Sequence, residues 1–409
     1  MKGKNAAYQE KLDHLRFFAA LLIILYHAVQ MYNTVCSTHP VCKLNGGNSA
    51  SEPPFFSLIL EGHTAVALFM TLSGFLFATI CKGKEINHWA FYKNRFLRIY
   101  PLFVVMLLVA CYADLRTNDF MRLLTSLFFM QNTISSVYLL NGTESLWAIA
   151  VEFQFYLLFP WLLIFFRKYG YKYLLGLTVL ACLVRFAVYL ATRNIYLLCY
   201  MTIFGRIDQF IIGMIYGFLF ERLKDKLRHP VMFGISVACV LGLVAFLHKH
   251  GWTCAGPHWV IATDLEALFW GFLIVAYNAS SFSFPKSIAR LLAFGGTLSY
   301  SLYLIHPWVM RLAYWIAPII YWPHSRFPLL AQISLQLSHQ SYIAGLLFGL
   351  IIAFPVTFIV SILTYHLIEK PFLELRSRYI IPSRDKLDEP EVASGIPVGG
   401  PRQLVGAKD

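Results

Sequence analysis

Charge is what this sequence has least of. Asp, Glu, Lys and Arg make up 13% of its 409 residues, while 58% are hydrophobic and the mean hydropathy is +0.60. Soluble domains usually carry about a quarter charged residues, so the composition excludes an ordinary soluble class and indicates a membrane protein. Several chemical signatures are missing as well. The chain has no G-x-x-x-x-G-K-[ST], no G-x-S-x-G and no HExxH, which removes support for ATP-driven pumping, serine hydrolysis of the familiar kind and zinc chemistry. Its eight cysteines follow no metal-binding spacing, so no metal is expected. Cys36, Cys42 and Cys254 fall in outer loops, where Cys36 and Cys42 either pair, if that side is oxidising, or stay free thiols. No internal repeat points to a transporter built from inverted halves.

What the chain does contain is long apolar runs. They lie near 12–32, 55–80, 99–113, 145–166, 173–191, 198–220, 231–248, 259–278, 291–313 and 343–367. Because about 20 residues cross the hydrocarbon core, these amount to about ten spans. The third run is short, and the apolar stretch 123–140 after it reads as a re-entrant or interfacial piece. The first run follows Lys2, Lys4 and Lys11 as in a signal peptide, but it is long and lacks a cleavage site, so it is expected to be retained. The expected fold is an all-α polytopic membrane domain over residues 1–375, followed by a polar, disordered cytoplasmic tail at 376–409 with no second soluble domain.

Basic residues outnumber acidic ones, 34 to 21, for a formal charge of +13. In a soluble protein that excess would point to nucleic acid; here its distribution carries the information. With the N-terminus inside, 25 Lys and Arg fall on inner segments and 6 on outer loops, and Arg185, Arg206 and Arg311 lie within spans. This is the positive-inside pattern of an N-in, C-in protein, and it requires no nucleic-acid partner.

Polar residues inside apolar runs are the candidate functional positions, because each costs several kcal/mol in hydrocarbon unless it is partnered, about 2.5 or more for a charge near the centre. Arg16 and His27 are 11 residues apart, so on a helix they share one face about 16 Å apart. His27 then sits toward the outer half, where an imidazole can take a proton from a hydroxyl. A snorkelling arginine and a packed histidine explain the same two residues. Arg95 and Arg98 stand at i and i+3, suited to gripping phosphates, although topogenic charge accounts for them too. Glu152, preceded by Ser145 and Trp147, must face a polar interior, pair with a cation or act in function. Glu61 and His63 lie near the outer end of the second span, and Ser73-Gly74 permits close approach of a helix or a ligand. Arg206 with Asp208, and Ser299, Tyr300, Tyr303 and His306, are each compatible with interhelical hydrogen bonding alone. Glu369, at the inner end of the last span, is expected to pair with a basic loop.

Taken in order, "LDHLRFFAALLIILYHA", "LFMTLSGFLFA", "FYKNRFLRIYPLF", "SLWAIAVEFQFYLLFPW", "GRIDQFIIGMIYG", "SYSLYLIHPW" and "HLIEKPF" resemble the membrane-bound acyltransferase-3 family over about residues 10–375. That family includes the O-antigen and other surface-glycan O-acetyltransferases. The resemblance implies an acyltransferase of the bacterial inner membrane that moves an acyl group, usually acetyl, from cytoplasmic acyl-CoA to a hydroxyl of a glycan or lipid-linked sugar. It implies that His27 is the essential base and Arg16 its partner, and that Arg95 and Arg98 hold CoA. Ser73 and Gly74 match the family's SGF segment, and Glu152 matches the acid that follows the Trp. Glu152 is expected to orient the imidazole or stabilise its charge, with Trp147, Glu61, His63, Arg206, Asp208, Tyr303 and His306 in supporting positions. The SGNH-type domain fused to many members is not expected here. The alternative from another class is a transporter or flippase for a lipid-linked glycan or lipid, which needs no CoA-holding arginines.

Overall fold

The computed structural model describes residues 9–38, 54–113, 120–132, 146–250, 257–321 and 341–381. Cys42, Cys254, Ser145 and residues 382–409 fall outside these, as does the side chain of Cys36, and with them the proposed cysteine pair and most of the expected tail. Among the described residues nine helices are long and apolar enough to cross a membrane, and a bent helix pair makes a tenth. Helices dominate because the bilayer core offers backbone N–H and C=O groups no water, so each must be satisfied within its own segment. The protein is a multi-pass membrane protein.

In chain order the helices are α1 (Glu10–Thr38), α2 (Pro54–Leu60), α3 (Thr64–Cys81), α4 (His88–Ala113), α5 (Phe120–Leu127), α6 (Trp147–Tyr169) and α7 (Tyr171–Thr192). They continue as α8 (Tyr196–Met201), α9 (Ile203–Leu223), α10 (Pro230–His250), α11 (Trp259–Ala279), α12 (Lys286–Thr297) and α13 (Ser299–Tyr321). The last span, Gly345–Glu374, contains two π-helical turns, Gly349–Ala353 and Tyr365–Glu369. Such turns recur at functional sites, and the second carries Glu369. The apolar segments of α1, α3 and α9 are each 72% buried within the protein, whereas that of α7 is 17% buried. The first three are therefore the centre of the bundle, and α7 belongs to its lipid-facing rim.

Four apolar runs differ in shape from the simple span each implies. The run at 55–80 breaks at Glu61–His63 into α2 and α3, where Glu61 faces both His63 and His248 of α10 and Gly62 lies against Tyr26. The run at 291–313 is the bent pair α12 and α13, turned by 69°. It turns where Gly295 and Gly296 lie against Phe17 and the Asp13 backbone of α1. The short third run is part of a 26-residue helix, and Arg95 and Arg98 stand on the first turns of α4 itself. In the 123–140 stretch α5 has only 8 residues, too few to cross. Residues 133–140 lie outside those described.

The carboxyl-terminal segment is ordered past residue 375. Ile380–Ile381 (β2) pairs antiparallel with Glu85–Ile86 (β1), and Asn87 N–H donates to the Tyr379 carbonyl at 2.8 Å. Asn94 clamps Ser377 twice, donating to its carbonyl at 2.7 Å and accepting from its N–H at 2.9 Å. Residues 376–381 are thus a strap rather than the start of a disordered tail, which corrects the expected boundary.

The tightest crossing is between α3 and α9. A Cβ on Gly74 would run into the Phe210 carbonyl, and one on Gly213 into the Thr71 carbonyl. Neither obstacle is a flexible side chain, so the two helices would have to separate. Gly74→Ala is expected to destabilise the protein by about 1–3 kcal/mol. Gly176→Ala, whose Cβ meets nothing within 4 Å, should be neutral or gain up to about 1 kcal/mol of helix propensity. Thermal unfolding of both variants in detergent checks the contrast.

Candidate active site

A cavity of about 720 Å³ runs into the bundle from the face that carries the start of α1 and the carboxyl-terminal strap. Arg95, Arg98 and Arg376 line its mouth; Arg16, Ser73 and Glu152 line its middle; Phe69 and Tyr303 line it deeper. The two α4 arginines are not equivalent. Arg98 donates to Glu369 at 3.1 Å, Glu369 also accepts from the Ser301 hydroxyl, and the Arg98 guanidinium lies over the Tyr300 ring. Arg95 lies 4.9, 5.5 and 5.7 Å from the ring centres of Phe77, Phe91 and Tyr156, and among the described residues its buried Nε has no hydrogen-bond partner. Aromatic faces hold a cation in place without neutralising it. Arg95 is therefore a positioned positive charge with capacity for an anion, while Arg98 is already compensated.

Further in, Ser73 donates to Glu152 at 3.0 Å, and Tyr156, one turn along α6, donates to the same carboxylate. The expected contact between Glu152 and His27 is not among the hydrogen bonds of the described residues. Arg16 pairs with Asp13 on its own helix and lines the cavity. The 11-residue step from Arg16 to His27 separates them by about 16 Å along α1, so Arg16 cannot act on the imidazole by contact. Gly74 is not among the residues lining the cavity; a Cβ there would meet the Phe210 carbonyl of α9.

Beyond Tyr303 the partner of His27 is His306. His306 Nε2 lies 3.0 Å from His27 Nδ1, and the rings stack with centroids 5.0 Å apart. His306 Nδ1 is 3.2 Å from the Leu302 carbonyl, which can only accept. The proton on a neutral His306 therefore sits on Nδ1 and its Nε2 accepts, so His27 donates through Nδ1. His27 Nε2 is left as the lone-pair nitrogen. Tyr303 links this pair to the cavity, with its ring centroid 5.6 Å from that of His306 and 6.5 Å from that of Phe69.

The remaining polar candidates form a separate, buried network. Arg206 and Asp208 do not pair with each other as their spacing implies. Asp208 pairs with Arg185 at 2.8 Å, which also meets Asp264, and Arg206 faces Glu266 at 3.5 Å. Arg206 also lies over the rings of Trp147 and Tyr200. Glu61 accepts from His248 at 2.9 Å and faces His63 at 3.5 Å. Sequence reasoning missed Tyr156, Asn94, Arg376, Glu266 and the role of Arg185. Arg185 and Glu266 carried a usable signal, as charges within apolar runs. Among the described residues no group of three His, Cys, Asp or Glu side chains forms a metal site.

Residues 9–366 match a family described as an acyltransferase domain. The chain belongs to that acyltransferase-3 family. It is similar to the peptidoglycan O-acetyltransferase OatA of Listeria monocytogenes, 24% identical over 335 residues, or 73% of this chain and 49% of that protein. It is also similar to the O-acetyltransferase OatA of Staphylococcus aureus, 23% identical over 337 residues, or 75% of this chain and 51% of that protein. The chain thus spans about half the length of the curated relatives it matches. No solved structure matches it.

Within this acyltransferase fold the Arg185 cluster is a costly buried charge to disturb, because one guanidinium with no side-chain exposure serves two carboxylates. Removing one member of a buried ion pair typically costs about 3–5 kcal/mol, most of it from the charge left behind. Arg185→Met is therefore expected to lower stability by about that amount, read as a fall in the unfolding temperature and in the yield of monodisperse protein.

Proposed function

We propose that this acyltransferase is an O-acetyltransferase that takes an acetyl group from acyl-CoA on one face of a bacterial inner membrane. It delivers the group to a hydroxyl of a surface glycan or lipid-linked sugar. The observation that carries this reading is a continuous cavity that joins Arg95, a cation with no carboxylate partner among the described residues, to the neighbourhood of a histidine whose hydrogen bonding leaves Nε2 basic. A phosphorylated carrier with a long thin arm fits such a shape, anchored at the charged end and reactive at the other. The excess of Lys and Arg on the side of the mouth supports placing that face in the cytoplasm, where acyl-CoA is found. The names of the relatives support the O-acetyl chemistry.

In this reading Arg95 grips phosphate oxygens, and the arm passes Arg16, Ser73 and Glu152 toward Tyr303. His27 Nε2 takes the proton of the acceptor hydroxyl as its oxygen attacks the thioester carbonyl. The C–S bond breaks, and the sulfur leaves as a thiol carrying the proton that His27 returns. His306 is a positioning residue: its acceptor nitrogen keeps the His27 proton on Nδ1, the part a carboxylate plays toward the histidine of a hydrolase triad. Ser73 and Tyr156 hold Glu152 along the path of the arm.

Acetyl transfer by the purified protein is the first test. His27→Ala is expected to lower kcat by about 10²- to 10⁴-fold in a protein that still folds. His306→Ala should lower kcat while leaving the donor KM unchanged, and His306→Gln, which retains an acceptor near the Nε2 position, should recover part of the loss. Near-normal turnover in well-folded His27→Ala would place the base elsewhere. Arg95→Ala is expected to raise the donor KM by the equivalent of about 1.5–3 kcal/mol; an unchanged KM would return Arg95 to simple topogenic charge.

A further inference from the structure

The cavity mouth holds a third guanidinium that the pattern of membrane spans does not require. Arg376 follows the last span, and its Nε donates to the Leu373 carbonyl at 3.0 Å, which ties the side chain back to the helix end. The strap that carries it is fastened on its far side by the Asn94–Ser377 clamp, the Asn87–Tyr379 hydrogen bond and the β1–β2 pairing. Tyr379 packs edge-on against Phe91, one of the rings that hold Arg95, and burial pushes its phenol up to about 12, so it is a neutral hydroxyl. Arg376 and Arg95 are thus delivered to one opening by two segments far apart in sequence and locked together by α4.

At the mouth the three guanidiniums repel one another. Burial first, then the like charges of Arg98 and Arg95, holds the Arg376 guanidinium down at about 10. It remains a cation at neutral pH. Two carboxylates are near: Glu369 is engaged by Arg98 and Ser301, and Glu374 is exposed at the rim, where solvent weakens its attraction. Three converging guanidiniums become favourable when a multiply charged anion joins them, and planar forks suit phosphate oxygens in pairs.

We infer that Arg376 is a phosphate ligand for the nucleotide part of the donor, which makes the 376–381 strap one wall of the donor site and lets the protein select nucleotide-bearing thioesters over bare pantetheine thioesters. This rests on the acyl-CoA reading above. A lipid phosphate headgroup would offer the same chemistry at the mouth, so the test separates the two.

Arg376→Gln, similar in length but uncharged, is assayed beside the unaltered protein with acetyl-CoA, acetyl-dephospho-CoA and acetylpantetheine. Each assay is run in detergent and in vesicles with and without phosphatidylglycerol. The expected result is a rise of about tenfold or more in the KM for acetyl-CoA, with kcat/KM for acetylpantetheine unchanged and the effect independent of phosphatidylglycerol. Arg376→Lys should recover part of the loss, and Asn94→Ala, which unfastens the strap, should reproduce it. Equal losses with acetyl-CoA and acetylpantetheine would make Arg376 a structural residue and overturn the inference. An unchanged KM, or an effect seen only with phosphatidylglycerol, would overturn it as well. If Arg376→Gln folds poorly, calorimetric binding of desulfo-CoA to Arg376→Lys decides, and undiminished affinity counts against the proposal. Should the unaltered protein show no transfer from acetyl-CoA at all, the donor reading itself fails, an outcome distinct from any of these.

Discussion

A polar group inside a bilayer must be partnered by the protein itself, and the architecture follows from how that requirement is met. Asp208 and Asp264 share Arg185, Arg206 faces Glu266, and Arg98 meets Glu369. These pairs tie neighbouring helices at depths where water cannot substitute for a lost contact. Against that background Arg95 stands out, held by three aromatic rings with its Nε unbonded. Arg98, Arg185 and Arg206 face carboxylates, and in the proposed function the counter-charge of Arg95 is a phosphate of the donor.

The second constraint is closeness. Glycines at the α3–α9 crossing and at the bend between α12 and α13 let backbones approach to a distance that any Cβ would prevent. That approach fixes the walls of the cavity, since α1, α3 and α13 all contribute to its lining. It also brings His306 on α13 to His27 on α1, residues 279 positions apart. Packing that serves no chemical role thus sets the position of the residues proposed to perform it.

Much was legible before any coordinates. Composition and hydropathy identified a polytopic helical protein, basic-residue asymmetry gave an expected orientation, and the costs of His27 and Glu152 in apolar surroundings marked them as residues that need a reason. Several assignments of partners were wrong because spacing along one helix constrains only that helix. Arg206 and Asp208 look like a pair and belong to different ones. Glu152, expected to serve His27, is engaged by Ser73 and Tyr156. Arg376 was assigned to a disordered tail because it follows the last apolar run, and nothing local reveals that β2 returns to β1.

The sequence by itself determined what must be buried, which residues that burial makes expensive, and on which side of the membrane the basic loops are expected. These follow from transfer free energies, and those depend on residue type and order alone. Only the tertiary structure decided which expensive residues neutralise one another and which face a cavity. Such pairings are set by distances of a few ångströms between helices far apart in the chain, and sequence spacing does not encode a distance between helices.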